Sequence, residues 1–211
     1  MMEDLLGDIL RVTPRFRGKW RLQRFWERRL RRDCRLAKLP EGSLVEVDMG
    51  IPYERMVWLE AEEWDELQYL RGKLKTGQVF VDVGANIGLW TFVAASTVGP
   101  TGRIFSFEPN PETFRKLTAN IARNSYENVM AFPYAVSSRN GFVRFVCEEN
   151  HNISAITDES GRPGSIEVPT TSLDSVLMDR LAGAPIAGIK LDTEGHELPA
   201  LEGALALIKA S

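Results

Sequence analysis

From Val79 onward, short apolar runs alternate with stretches in which apolar residues return every third or fourth position. That switch between a run and a helical period predicts strands alternating with helices. "VFVDV" (79–83), "RIFSFE" (103–108), "NVMAFPYAV" (128–136) and "IAGIKLD" (186–192) read as strands. A helix starting at Gly88 carries Trp90, Phe92 and Val93. "PETFRKLTANIARN" places Phe114, Leu117 and Ile121 on one side, with Asn110 suited to the N-cap and Pro111 to the first helical position. "GFVRFV" adds a strand, and "SIEVPTTSLDSVL" joins a short strand to a helix. Residues 147–165 form a polar loop in which Asn152 and Ser154 could reach a rim site. A last helix begins near His196, with Leu198, Leu201, Leu205 and Ile208 in phase. This order predicts an α/β fold, a mostly parallel sheet with helices on both faces.

Upstream the pattern changes. Residues 17–38 predict an amphipathic basic helix, with Leu22, Trp26 and Leu30 four apart. "SLVEVDM" alternates and is followed, after "GIPYER", by "MVWLE", which predicts a small hairpin. "EAEEWDELQYLRGKLKTG" predicts a helix stopped by Gly77. The chain thus divides into an extension, 1–60, and an α/β domain, 61–211.

Charge sharpens that division. Residues 11–38 carry twelve Lys or Arg against Glu27 and Asp33, while the remainder holds 14 basic and 27 acidic residues. The basic segment suits packing with solvated arginines, or contact with an acidic surface or nucleic acid. Two cysteines form no disulfide framework or metal knuckle, and "MMEDLLGDIL" is not a secretory signal, so a cytoplasmic protein is expected, without stable membrane insertion.

In such sheets ligands sit beyond the carboxyl ends of the strands. The strings there are "DVGANIG", "EPN" and "DTEGHE". The first is not a dinucleotide fingerprint, because Asn86 and Leu89 stand where glycines are needed, and no lysine follows Gly88 to make a P-loop. An acid, then G-x-N-x-G, suits a phosphate-free cationic nucleoside such as S-adenosylmethionine. Asp82 would order its ammonium side, directly or through water. Gly84 and Gly88 would remove side chains that block the ligand, and the helix N-terminus after Gly88 would favour its carboxylate. Glu108, ending the second strand, is the expected acceptor for two ribose hydroxyls.

With these strings, "FVDVGANIGLWT", "GRIFSFEPNPETFRKLTANIARN" and "IKLDTEGHELPALEGA", the chain resembles FkbM-type methyltransferases from about Glu60 to its last residue. The resemblance implies a Rossmann-like class I methyltransferase fold. It also implies S-adenosylmethionine as cofactor, contacts at Asp82, Gly84, Ala85, Asn86, Gly88, Glu108 and Asn110, and O-methylation of a small molecule or sugar. It further implies that the C-terminal strands of that fold are missing, either because the domain is truncated there or because a second copy or a partner completes the sheet edge.

"KLDTEGHE" offers the acceptor-side chemistry. Lys190, Asp192 and Glu194 share one face while the backbone stays extended. Asp192 is the first candidate base for an acceptor hydroxyl, then Glu194, with His196 as an alternative and Lys190 orienting the carboxylates or stabilising an alkoxide. The structural alternative is that Lys190 pairs with these acids and shapes the turn, with Glu197 a helix N-terminal acid. A metal set of Asp192, Glu194, His196 and His151 has no recognised spacing, so no metal is expected. "DTEG" replaces the aromatic-proline tetrapeptide of amino-methylating enzymes, which argues against nucleic acid as the substrate. An idle cofactor-binding or assembly module is the rival from outside enzymology.

Overall fold

A computed structural model describes residues 2–13, 19–28, 30, 33–60, 63–147, 154–156 and 164–210. Helices α1 (Met2–Val12) and α2 (Lys19–Glu27) precede the hairpin β1 (Cys34–Lys38) and β2 (Leu44–Asp48), then α3 (Pro52–Trp58) and α4 (Trp64–Lys73). The chain continues through β3 (Val79–Val83), α5 (Leu89–Val98), β4 (Arg103–Phe107), α6 (Pro111–Arg123) and β5 (Val129–Phe132). Four shorter-range strands follow: β6 (Ala135–Val136), β7 (Gly141–Cys147), β8 (Ser154–Ile156) and β9 (Ser165–Thr171). The described chain closes with α7 (Leu173–Leu181), β10 (Ile186–Leu191), α8 (Glu197–Glu202) and α9 (Leu205–Ala210).

The main sheet has the order β10-β3-β4-β5, all parallel. The chain runs outward from β3 through β4 to β5, then returns to the other side of β3, so strand order reverses between β3 and β10. Period-two alternation sorts the side chains. Val79, Val81, Val83, Phe105 and Phe107 face a cluster with Leu173, Leu177, Ala200 and Leu207. Phe80 and Ile104 face a second cluster with Phe92, Val93 and Leu117. Both faces of β3 are dry, which is why it reads as a continuous apolar run broken only by Asp82. Each fully buried Phe or Leu here contributes about 2 kcal/mol. A second sheet, β6-β9-β7-β8, stands beside the main one, so "GFVRFV" and "SIEVPTT" pair with each other rather than extending the parallel sheet.

The extension differs from the sequence reading in two ways. The basic helix stops at Glu27, and Cys34–Lys38 is a strand. Its partner is Leu44–Asp48, so the hairpin pairs upstream. "MVWLE" instead lies largely in α3, because Pro52 at the helix start sets a helical turn and Val57 and Trp58 then bury together. Leu10, Trp26, Val45 and Met49 belong to the same buried cluster as Phe92 and Leu117, so the core continues across residue 60. Near the other end, the single helix expected from His196 breaks at Gly203. There a Cβ would lie 2.1 Å from the Ser137 carbonyl oxygen, so only glycine permits the approach.

Helix α6 fastens the extension. One edge of β2 pairs with β1; along the other, Leu44 N donates to Asn124 Oδ1 (2.7 Å) and Asn124 Nδ2 donates to Leu44 O (2.8 Å). Glu46 N donates to Asn120 Oδ1 at 2.9 Å. Two asparagines one helical turn apart thus stand in for a neighbouring strand and satisfy the β2 backbone. Ser43 Oγ and Tyr126 Oη, 2.7 Å apart, add to the seam.

Candidate functional site

A cavity of about 430 Å³ opens at the carboxyl ends of β3, β4 and β10. Its floor is the loop after β3. Gly84 N and Ala85 N both donate to Phe107 O, at 3.0 and 2.9 Å, which ties the loop to the end of β4. Gly84, Asn86 and Gly88 take positive φ values of 76°, 50° and 107°. Asparagine tolerates this left-handed region better than most side chains, which fits Asn86 between the glycines. Its backbone N–H is thereby aimed at Glu108 Oε2, 2.9 Å away, while Asn110 N donates to Glu108 Oε1 at 2.9 Å. Asn110 caps α6, its Oδ1 accepting from Glu112 N (2.9 Å) and Thr113 N (3.3 Å).

Glu108 is 6% exposed. Burial pushes its carboxyl up to about 7, against the two backbone N–H groups that favour the charged form. Among the described residues each of its oxygens accepts one backbone N–H, so each keeps a lone pair toward the cavity. A carboxylate held this way is an acceptor for a pair of hydroxyls and repels phosphate. Gly84, Asn86, Glu108 and Asn110 all line the cavity. The donor set therefore fits the ribose of S-adenosylmethionine.

The two glycines have a different job from the one the sequence suggested. A Cβ on Gly84 would meet the Asp192 carbonyl oxygen at 2.0 Å, and one on Gly88 would meet the Phe92 ring at 2.5 Å. The room they leave is filled by the protein, pressing the loop against β10 and α5. Ala85 and Gly88 lie outside the cavity lining, and so does Asp82. As an even-numbered position on β3, Asp82 faces α5 and is fully buried. Thr91 Oγ1 donates to Asp82 Oδ2 at 2.6 Å, and Ser106 Oγ lies 2.8 Å from Thr91 Oγ1. Because the Thr91 hydrogen goes to Asp82, Ser106 is the donor to Thr91.

Lys190 is directly across from Asp82 in the β3–β10 register. Its Nζ donates to Gly84 O at 2.8 Å and lies 3.6 Å from Asp82 Oδ1 and 3.4 Å from Asp192 Oδ2. Burial alone would lower the Lys190 ammonium, but Asp82 and then Asp192 outweigh it and hold the group above its ordinary value. One cation thus ties the β3 loop to the end of β10. Asp192 and Glu194 line the cavity, and the Asp192 side chain is 52% exposed. His196 lies outside that lining, its Nε2 3.0 Å from Ser137 Oγ. Glu197 Oε1 accepts from Gly195 N (3.1 Å) and Thr193 N (3.2 Å), which fastens the turn; its own backbone N–H first, then that of Gly195, hold its carboxyl below the ordinary range. His151 and Asn152 lie outside the described residues, and Ser154 begins β8.

The remaining wall was not visible in the strings. Asp48, Ile51 and Glu54 come from the extension, Thr113 and Lys116 from α6, and Phe145 and Ile156 from the second sheet. Glu54 is 3% exposed and Lys116 Nζ donates to it at 2.7 Å. One signal was available: Thr113, Lys116 and Asn120 fall in helical phase as a polar stripe beside the apolar one. Among the described residues no group of three His, Cys, Asp or Glu side chains is placed to hold a metal ion, and no helix is long and apolar enough to cross a membrane.

Comparison with known proteins adds the following. The family model described as "Methyltransferase FkbM domain" matches residues 82–211. The hexuronic acid methyltransferase AglP of Haloferax volcanii is 32% identical over 141 residues, covering 67% of this chain but 56% of that protein. The arsenite methyltransferase of Halobacterium salinarum is 38% identical over 53 residues, 25% of this chain and 14% of its own length. The solved structure of P. horikoshii TYW2 in complex with MeSAdo aligns at 17% identity and a TM-score of 0.40, covering 51% of this chain and 40% of that one.

Proposed function

The chain belongs to the FkbM methyltransferase family, and from that membership we propose that it transfers a methyl group from S-adenosylmethionine to a hydroxyl of a sugar or similar small molecule. The observation that carries this reading is that one cavity joins Glu108 to Asp192. When bound, the cofactor supplies a methyl group on a sulfonium, already a good electrophile. Glu108 would accept the two ribose hydroxyls, with Asn86 and Asn110 fixing its orientation. Asp192 would take the proton of the acceptor hydroxyl as its oxygen becomes methylated, a positioned base contributing about 10²–10⁴-fold. Lys190, with its Nζ 3.4 Å from Asp192 Oδ2, would hold that carboxylate in place. The description of AglP as a hexuronic acid methyltransferase supports a sugar as the acceptor class.

Calorimetric titration with S-adenosylmethionine tests the donor half, and a mass-shift screen with isotope-labelled methyl donor tests transfer. Micromolar binding that is lost in Glu108→Ala is expected. Absence of binding at millimolar ligand would sink the proposal, as would full affinity in Glu108→Ala.

A further inference from the structure

The same cavity carries an unbalanced charge. Among the described residues six acids line it, Asp48, Glu54, Glu108, Glu112, Asp192 and Glu194, against one cation, Lys116. Glu108 faces the donor. Lys116 is already engaged: its ammonium donates to Glu54, whose other oxygen accepts from Asp48 N. Burial raises the Glu54 carboxyl and Lys116 opposes that rise, so the pair is mutually dependent.

An acceptor carrying a carboxylate would meet this wall badly. To pair with Lys116 it would have to share a cation that already compensates the buried Glu54 carboxylate. It would also lie among like charges. A neutral polyol meets the reverse situation, because carboxylate oxygens accept from its hydroxyls. Ile51, Phe145 and Ile156 offer apolar contact to the C–H face of a ring. An amine on the sugar adds attraction.

Resting on the methyltransferase reading above, we propose that Asp48, Ile51, Glu54 and Lys116 form the acceptor subsite, and that it takes an uncharged or amine-bearing sugar in preference to a hexuronate. The N-terminal extension is then the specificity element of the enzyme, and the donor site is common ground on which it is mounted.

The test uses the full chain saturated with S-adenosylhomocysteine. Methyl glucoside, glucosamine and glucuronate are titrated separately and followed by calorimetry or ligand-observed NMR. The neutral and amine-bearing sugars are expected to bind at least about tenfold more tightly than glucuronate. Asp48→Asn, which keeps an oxygen for the Gly50 N–H, is expected to narrow that gap at least about threefold by removing one like charge. Glu54→Gln should narrow it further wherever circular dichroism shows the fold retained. Glucuronate binding as tightly as the others, or none of the three sugars binding, overturns the subsite. Failure of S-adenosylhomocysteine itself to bind overturns the methyltransferase reading instead, so the two failures are told apart.

Discussion

The two halves of the cavity are built by opposite means. On the half proposed for the donor, backbone N–H groups from two short strings, around Asn86 and Asn110, grip one buried carboxylate. On the half proposed for the acceptor, side chains arrive from the extension, α6, the second sheet and the end of β10. The first half depends on local backbone geometry, the second on how distant elements pack. A backbone-built site changes little when surface side chains drift, whereas a wall assembled from four segments can be re-cut without disturbing the strand ends. Lys190 stands on the border, touching Gly84 and Asp82 on one side and Asp192 on the other.

The largest expected effect tests whether the halves are separable. Asp192→Asn should cut turnover by about 10²–10⁴-fold while leaving the affinity for S-adenosylhomocysteine within about twofold, since Glu108 is held by Asn86 N and Asn110 N rather than by Asp192. Steady-state kinetics beside calorimetry check this; an equal loss in both would erase the distinction. Next in size, Lys190→Met removes the border cation and leaves Asp82 buried without its ion pair, costing about 3 kcal/mol in urea denaturation. Adding Asp82→Asn should recover much of that loss, whereas an additive double mutant would mean that the pair is not coupled.

A smaller effect belongs to the donor half alone. Glu108 has a folded-state carboxyl near 7, above its ordinary value of 4.5. A raised acid stabilises the folded protein fully below the unfolded value, and that contribution fades as pH rises through 7. Donor affinity runs the other way. Ribose hydroxyls need the carboxylate, so affinity should drop about tenfold for each pH unit below 7, with proton release on binding. Calorimetry in buffers of different ionisation enthalpy measures both, and a flat profile from pH 5 to 8 would remove Glu108 from the ribose role. Smallest of all, Asn124→Ala unpairs Leu44 N and O and should cost about 1–2 kcal/mol, read by thermal unfolding. It should weaken acceptor binding more than donor binding.

The same contrast explains what the sequence disclosed. The β-α-β order and "EPN" were legible because strand periods, a proline and an N-cap act within a few residues. The roles of Gly84 and Gly88 were not, since what fills their missing Cβ space, Asp192 O and the Phe92 ring, is known only once β10 and α5 have docked. Asp82 was assigned to the ligand as the acid preceding G-x-N-x-G, while strand parity turns it toward Thr91. Lys190 was read as orienting the nearby carboxylates or stabilising an alkoxide, or as pairing with those acids at the turn; the register opposite Asp82, which also ties it to β3, could not be read locally. Asp48, Ile51 and Glu54 could not be read as a wall, because α3 had been taken for a turn and the start of a strand and nothing local joins three such positions.

Helix α6 has a consequence for how this chain can vary. It begins at Asn110 beside Glu108, passes Lys116 at the acceptor wall and ends with Asn120 and Asn124 on the edge of β2. It works as a ruler between the two proposed ligand sites. A single inserted or deleted residue between 111 and 119 would rotate everything beyond it by about 100°, swinging both asparagines off β2 and taking the acceptor wall with them. Substitutions along its solvent face should be freely tolerated, while its length should be held fixed among relatives that carry the same extension, a constraint that a gap count across 110–124 would expose.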